Sequence, residues 1–272
     1  MRLINIKPDR TWTFALAVLP FLALLVAYLM GSAMRLAENP NDKLLPGFGA
    51  MAEAVKHMAL QPDPRSGIYL MWNDTLSSLS LLLTALAVST LIALVVGILI
   101  GLLPLVGATF GPVVAVASMV PPLALLPILF IIMGLGDAAK IALIVIGTAL
   151  KLVRDVALRV KDLPREQIIK AQTLGASTWQ IGTRVVLPQM LPRLIDAVRL
   201  ELGPAWLFLI AAEAIAADAG LGYRIFLVRR YLAMDVIIPY VIWITLLAFL
   251  MDLALRLLQQ KAFPWFAGAR AA

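Results

Sequence analysis

The run Thr75–Leu103 contains no charged residue and constrains the chain more than any other stretch. A helix crosses the hydrocarbon core of a bilayer with about 20 apolar residues. Every backbone N–H and C=O in lipid must be satisfied within the segment, so such a run is helical. Five further apolar blocks follow the same logic: Trp12–Met34, Val113–Met133, Ala138–Val153, Leu194–Ala217 and Val236–Leu258. They predict an all-α integral membrane protein with about six transmembrane helices. The composition agrees, with 62% hydrophobic and 14% charged residues, where a soluble domain carries roughly 25% charged. The chain has no Cys and a single His, His57, which excludes disulfides and Cys-ligated metals and makes a His-built site unexpected. No cofactor is expected. The first apolar block follows a basic segment and lacks a small-residue cleavage end, so it reads as an uncleaved span.

Proline, glycine and charge divide the rest. Pro20 is tolerated inside the first span because neighbours can satisfy the freed carbonyl. Arg35–Asp74 is polar and holds four prolines, Pro40, Pro46, Pro62 and Pro64, so it is not one helix. Within it, Met51, Ala54, Val55 and Met58 share a helical face and predict a short helix near Ala50–Leu60. Pro104–Pro112, with two glycines, reads as a turn. Pro121-Pro122 and Pro127 break the third span, and Gly203-Pro204 marks a kink in the fifth. Arg154–Asp162 is charged and reads as leaving the membrane. Asp218–Asp235 reads as a loop. The predicted organisation is a first helix in 1–34, a loop over 35–74, a core over 75–260 and a tail over 261–272.

The largest polar interruption in the C-terminal half is Leu163–Pro188, LPREQIIKAQTLGASTWQIGTRVVLP. Pro164 suits the start of a helix. Arg165 to Leu174 then reads as a short amphipathic helix, with Ile168, Ile169, Ala171 and Leu174 apolar and Arg165, Glu166, Gln167 and Lys170 polar. Gly175 is placed to end it in the left-handed region. Ser177 can cap a second helix, and Pro188 reads as its end. A basic loop anchored to anionic lipid is one reading. The other is a helix that docks in a groove of a partner, with Ile168, Ile169 and Leu174 as anchors and Arg165, Glu166 and Lys170 as rim.

This stretch resembles the cytoplasmic loop of ATP-binding-cassette (ABC) importer permeases. The family pattern is Glu-Ala-Ala, three residues, Gly, about nine residues, then Ile-x-Leu-Pro. Ala171 matches the second Ala, Gly175 the Gly, Val185 the aliphatic position, and Leu187 and Pro188 the Leu-Pro. Two positions depart: Ile169 stands in place of Glu and Lys170 in place of the first Ala. The run TLGAS, Trp179-Gln180 and VVLP resembles the nitrate, sulfonate and taurine branch. The resemblance implies a type I importer permease fold in the inner membrane. It also implies a homodimer of permeases, two ATP-binding subunits and an extracytoplasmic solute-binding protein, with alternating access as the mechanism. The protein would not itself be an enzyme, and the chain has no GxxxxGK[ST] phosphate loop. The Arg35–Leu45 phrase and Leu221 to Asp235 resemble permeases encoded with urea- or guanidine-carboxylase systems. They make guanidinium or urea the first expected substrate, ahead of a nitrate-, sulfonate- or taurine-like solute.

Five residues are candidates for the translocation path or its gate: Pro121, Pro122, Glu201, Trp206 and Glu213. Carboxylates inside a span are costly and face a cavity or a partner, so Glu201 and Glu213 admit a structural pair or a path residue. Pro121-Pro122 admit a simple kink or a broken helix lining a path. Lys151, Arg154 and Asp155 read as interfacial snorkelling charges. With the Leu163–Pro188 loop in the cytoplasm, both termini share its side. Residues 1–11, 151–193 and 256–272 then carry 14 Lys and Arg, against 8 in 35–74, 134–140 and 218–235. That bias fits the positive-inside rule. The rival class is a secondary transporter or channel with its own ion path and no ATPase. Against it stand the few charges in the spans and the size of the loop. Nucleic acid is not expected as a partner, and membrane lipid is.

Overall fold

A computed structural model describes residues 9–40 and 42–266. Arg2, Lys7 and Arg270, which enter the charge count, lie outside the described residues, as does the tail over 267–272. Among the described residues every regular element is helical. The chain forms two compact units, residues 1–69 with 228–241 and residues 70–227 with 242–272.

In the first unit, α1 (Arg10–Glu38) starts at Asp9, whose side chain accepts the Trp12 N–H. Such a cap satisfies an amide that has no partner within the helix. The following loop is tied to α1. The Tyr28 hydroxyl donates to the Pro46 carbonyl at 2.6 Å, Ser32 Oγ donates to that of Leu45 at 2.9 Å, and Arg35 pairs with Asp42. The predicted short helix is present as α2 (Phe48–Leu60), with Met51 buried. Beyond it Asp63 accepts the Ser66 N–H and hydroxyl, each at 2.9 Å. Those bonds hold its carboxyl below the usual carboxylate range.

The second unit is built around α3 (Leu70–Leu102), α6 (Asp137–Lys161) and α9 (Leu187–Ile215). Gly97 and Gly101 let α3 and α6 approach closely. A Cβ on Gly97 would stand 2.7 Å from that of Val156, and one on Gly101 2.6 Å from that of Val160. Small residues at such contacts let helices pack in lipid. Ser89 and Thr148 add a buried bond across the pair at 2.8 Å. Leu152, Val153, Val156, Val160, Val186, Met190 and Leu194 complete the core.

Three expectations need correction. Pro104–Pro112 is not a turn but the start of α4 (Pro104–Ala117), because Pro104 at the first turn needs no N–H. Arg154–Lys161 continues the helix of the fourth span: α6 runs to Lys161, burying Val156, Ala157 and Val160. Asp218–Asp235 is not all loop, since it holds α10 (Leu221–Val228). Pro188 does not end a helix. One turn, α8 (Thr178–Gln180), passes into a π-helical segment, Ile181–Val186, and on into α9. In that widened segment the Leu187 N–H bonds to the Gly182 carbonyl, five residues back. The ladder is thus shifted where Pro188 would break an α-helical one.

The third span is broken as expected. A 3₁₀ turn, Pro122–Leu125, leads to α5 (Leu126–Met133), and together they meet α4 at 82°. By length and composition α1, α3 and α11 (Met234–Ala262) can each cross a membrane, and the bent pair makes a fourth. Helices α6 and α9, where the fourth and fifth spans were expected, do not meet that measure of length and composition. They have 25 and 29 residues and carry charged groups along their length, Lys140, Asp196 and Glu213 among them buried.

Candidate functional site: the Leu163–Pro188 loop and the carboxylates of the core

The loop is anchored by buried Leu163 and opens into α7 (Arg165–Thr173). At its end Gly175 adopts φ +80°. The Ala176 N–H bonds to the Ala171 carbonyl at 3.0 Å and the Gly175 N–H to that of Gln172 at 2.9 Å. This is a Schellman motif, which satisfies helix-end carbonyls and needs a residue free to adopt positive φ. Ser177 then caps α8 in a capping box with Gln180. The loop's own backbone thus fixes its shape.

Its side chains divide in a way the sequence reading placed only in part. Ile169 and Leu174 point outward, Leu174 with 87% exposure, and Trp179 joins them at 78%. Arg165, Glu166 and Lys170 are exposed around them. Ile168 is not an outward anchor. It packs with Ala171 and Ala176 against the protein's own core. Its spacing from Ala171 puts the two on the opposite side of α7 from Ile169. Leu187 and Pro188 stand within the continuous π-to-α helix and not on the exposed turn. A groove of about 390 Å³ runs beside α7, lined by Leu102, Pro104, Arg165, Ile169 and Thr178 among others. Trp179 was not singled out as a contact residue, although a Trp two residues after a capping Ser is an available signal.

Glu213 is fully buried. Ser78 Oγ donates to its Oε1 at 2.7 Å and the Gly222 N–H to its Oε2 at 2.8 Å. Ser78 Oγ in turn accepts the Leu221 N–H at 2.8 Å. Asp74 accepts the Gly220 N–H at 3.1 Å and pairs with Arg224 at 2.8 Å. Gly220 has φ +127°, and a Cβ there would stand 2.6 Å from Glu213 Oε1. These groups pin Gly220-Leu221-Gly222 and α10 onto α3 and α9. Both Glu213 oxygens are used in holding that turn, and neither faces open space. Asp74, Ser78 and Arg224 were not anticipated, because their partners lie more than a hundred residues away in the chain.

The remaining candidates lie apart from this network. Pro121 is exposed and Pro122 half-buried at the bend of the third span. Trp206 is buried, and its Nε1 has no hydrogen-bond partner. Glu201 does not pair with Arg199, which instead holds Asp252 at 2.7 Å. The charge nearest Glu201 is Lys151 of α6, at 3.9 Å.

Residues 93–264 match the family described as binding-protein-dependent transport system inner membrane component. The chain is 37% identical over 195 residues to the taurine transport system permease protein TauC of Escherichia coli (strain K12), covering 72% of this chain and 71% of that one. It is 34% identical over 146 residues to the aliphatic sulfonates transport permease protein SsuC of the same organism, covering 54% and 56%. A chain from an inward-facing structure of the MetNI methionine ABC transporter superposes with a TM-score of 0.64 at 22% identity, covering 73% of this chain and 99% of that one. That likeness shows the type I importer permease fold. The chain belongs to the binding-protein-dependent transport system inner membrane components, and its similarity to taurine and sulfonate permeases puts it in the branch that the TLGAS and VVLP runs resemble.

Proposed function

We propose that two copies of this chain form the translocation path of an ATP-driven importer, coupled through Leu163–Pro188 to two ATP-binding subunits and fed by an extracytoplasmic solute-binding protein. One observation carries the reading. Ile169, Leu174 and Trp179 stand exposed on a turn whose backbone is already satisfied. A loop built that rigidly, with its large apolar groups outward, suits helix-in-groove docking. Ile169 and Lys170, in place of the usual Glu-Ala, give the contact an apolar and a cationic group. Closure of the ATPases would move the two loops together and bias the permease pair between inward and outward states. Coupling of this kind needs a contact that differs between those states.

The substrate we favour is a small oxyanion of the sulfonate or bicarbonate type, the solutes in the names of similar permeases. Guanidinium or urea is the second reading, supported by the Arg35–Leu45 and Leu221–Asp235 phrases. Both termini and Gly175 face the cytoplasm, and Pro62–Ser66 faces outward. Co-purification of the tagged chain in mild detergent tests the assembly: a nucleotide-binding subunit is expected, and a lone oligomer would favour a secondary transporter or channel. Uptake of radiolabelled taurine against guanidinium separates the substrates. Ser66→Cys, in a chain without native cysteines, should label in intact cells. Labelling only after permeabilisation would reverse the topology.

A further inference from the structure

The cytoplasmic half of α6 has two faces. One is the core seam of Leu152, Val153, Val156 and Val160. The other carries Lys151, Arg154, Asp155, Leu158 and Arg159, all exposed or half-exposed. Their spacing of three and four residues aligns them in one stripe. Arg159 donates to Asp155 at 2.6 Å. At the upper end Lys151 Nζ stands 3.9 Å from Glu201 Oε2 and 5.8 Å from the centre of the Phe208 ring. A separation of 3.9 Å is too long for a hydrogen bond, and that Glu201 oxygen is buried with no hydrogen-bond partner. The Lys151 side chain keeps 41% of its surface exposed. Glu201 lies seven residues past Leu194, about 10 Å into the expected fifth span at 1.5 Å per residue. With Glu201 included, the stripe sets three cations against two carboxylates.

Lys151 and Glu201 fall within the expected fourth and fifth spans, and charges there are costly toward lipid and turn to a water-filled cavity or a partner. We propose that this stripe is the inner wall of the translocation path and that Lys151 positions the oxyanion group of the passing solute. The proposal rests on the importer reading above and on its oxyanion substrate. The stripe's net positive charge selects the sign of the solute. Lys151 is held near Glu201 by charge and over Phe208 by cation–π attraction, without a hydrogen bond to either. An arriving sulfonate or carboxylate can therefore accept its N–H groups without breaking a made bond. Glu201 keeps the site from being a bare cation, so the anion is passed on and not trapped. Below Lys151, Arg154 and Arg159 continue the positive wall to the cytoplasmic end of the helix.

The test uses the full complex with its partner subunits and taurine as probe. Leu158→Cys should react with a membrane-impermeant thiol reagent applied from the cytoplasmic side. Lys151→Gln should raise KM for taurine uptake roughly tenfold or more, the loss expected for one charge-assisted hydrogen bond, at a normal amount of assembled complex. Lys151→Arg should restore KM to within about threefold, since it keeps the charge and the donors. A Leu158→Cys that stays unlabelled would mean that protein or lipid covers the stripe, and would overturn the proposal. An unchanged KM in Lys151→Gln would overturn it too. Both outcomes arise in a complex whose wild type takes up taurine. A wild type that takes up guanidinium and not taurine would instead remove the oxyanion reading of the function, and this proposal with it.

Discussion

The loop over Leu163–Pro188 and the network around Glu213 use the same groups in opposite ways. In the loop, backbone amides and carbonyls satisfy one another, and the large apolar side chains Leu174 and Trp179 face outward. In the network, side-chain carboxylates satisfy backbone amides of another segment, and nothing is left exposed. A group whose partners are all internal stabilises the fold, whereas one whose partner is absent is available for binding. The contrast supports the docking proposed for the loop and has Glu213 hold the α10 turn in place.

The largest effect is expected at the network. Glu213→Ala leaves the Gly222 N–H and the Ser78 hydroxyl buried without their acceptor, at about 1–3 kcal/mol for each orphaned group. The variant should lose about 3 kcal/mol of stability, read as a lowered melting temperature and yield in detergent. Glu213→Gln keeps one acceptor oxygen and should fall between. A Glu213→Ala protein that melts normally but does not transport would break the contrast and return Glu213 to the path. The loop should respond in the other direction. Leu174→Ser combined with Trp179→Ala should leave melting within about 0.5 kcal/mol of wild type, as exposed sites usually do. The same variant should weaken capture of the ATP-binding subunit by about 2 kcal/mol, the scale of an interface hot spot. Equal losses of stability and capture would mean that the loop is structural.

Gly175→Ala sharpens the comparison further. Its Cβ meets no atom within 4 Å, so its cost is only that of holding an L-residue at φ +80°, about 1–2 kcal/mol. Coupling of uptake to ATP hydrolysis should fall while the rest of the protein melts normally. The smallest effect belongs to the exposed turn at Asp63. A carboxyl held low by folded-state bonds stabilises above its ordinary pKa and loses that contribution as pH falls through the lowered value. Amide exchange at Ser66 should therefore stay slow through mild acid and quicken only in strong acid. Asp63→Asn should remove that pH dependence.

The loop was legible in the sequence because its devices are local. Pro164, Gly175 and Ser177 act within a few residues of themselves, and the structure uses Gly175 and Ser177 as the turn and the cap. The sides of α7 were less legible: Ile168 and Ile169 are equally apolar, and only packing decides which turns inward. Pro188 misled because a proline in a helical pattern reads as a stop, and no local rule announces the wider turn that absorbs it. Helix α10 was hidden by Gly220 and Gly222, which read as loop residues and whose role is to approach Glu213 and Ile210 at the end of α9. The surroundings of Lys151 were not legible either. Its helix alone suggests a snorkelling charge, and Glu201, fifty residues on, gives it a different surrounding.

The closeness of α3 and α6 at Gly97 and Gly101 bears on how displacement travels. With Val156 and Val160 seated against bare backbone, one helix can neither roll nor slide on the other without collision. The pair is stiff at that seam. Leu163, just beyond α6, sits in the same core, so under the proposed coupling a push delivered at α7 would reach a strut two helices wide. The strut transmits a tilt without absorbing it. Deformation is left to the 82° elbow before α5 and to the widened turns at Ile181–Val186, where the helical ladder is already interrupted.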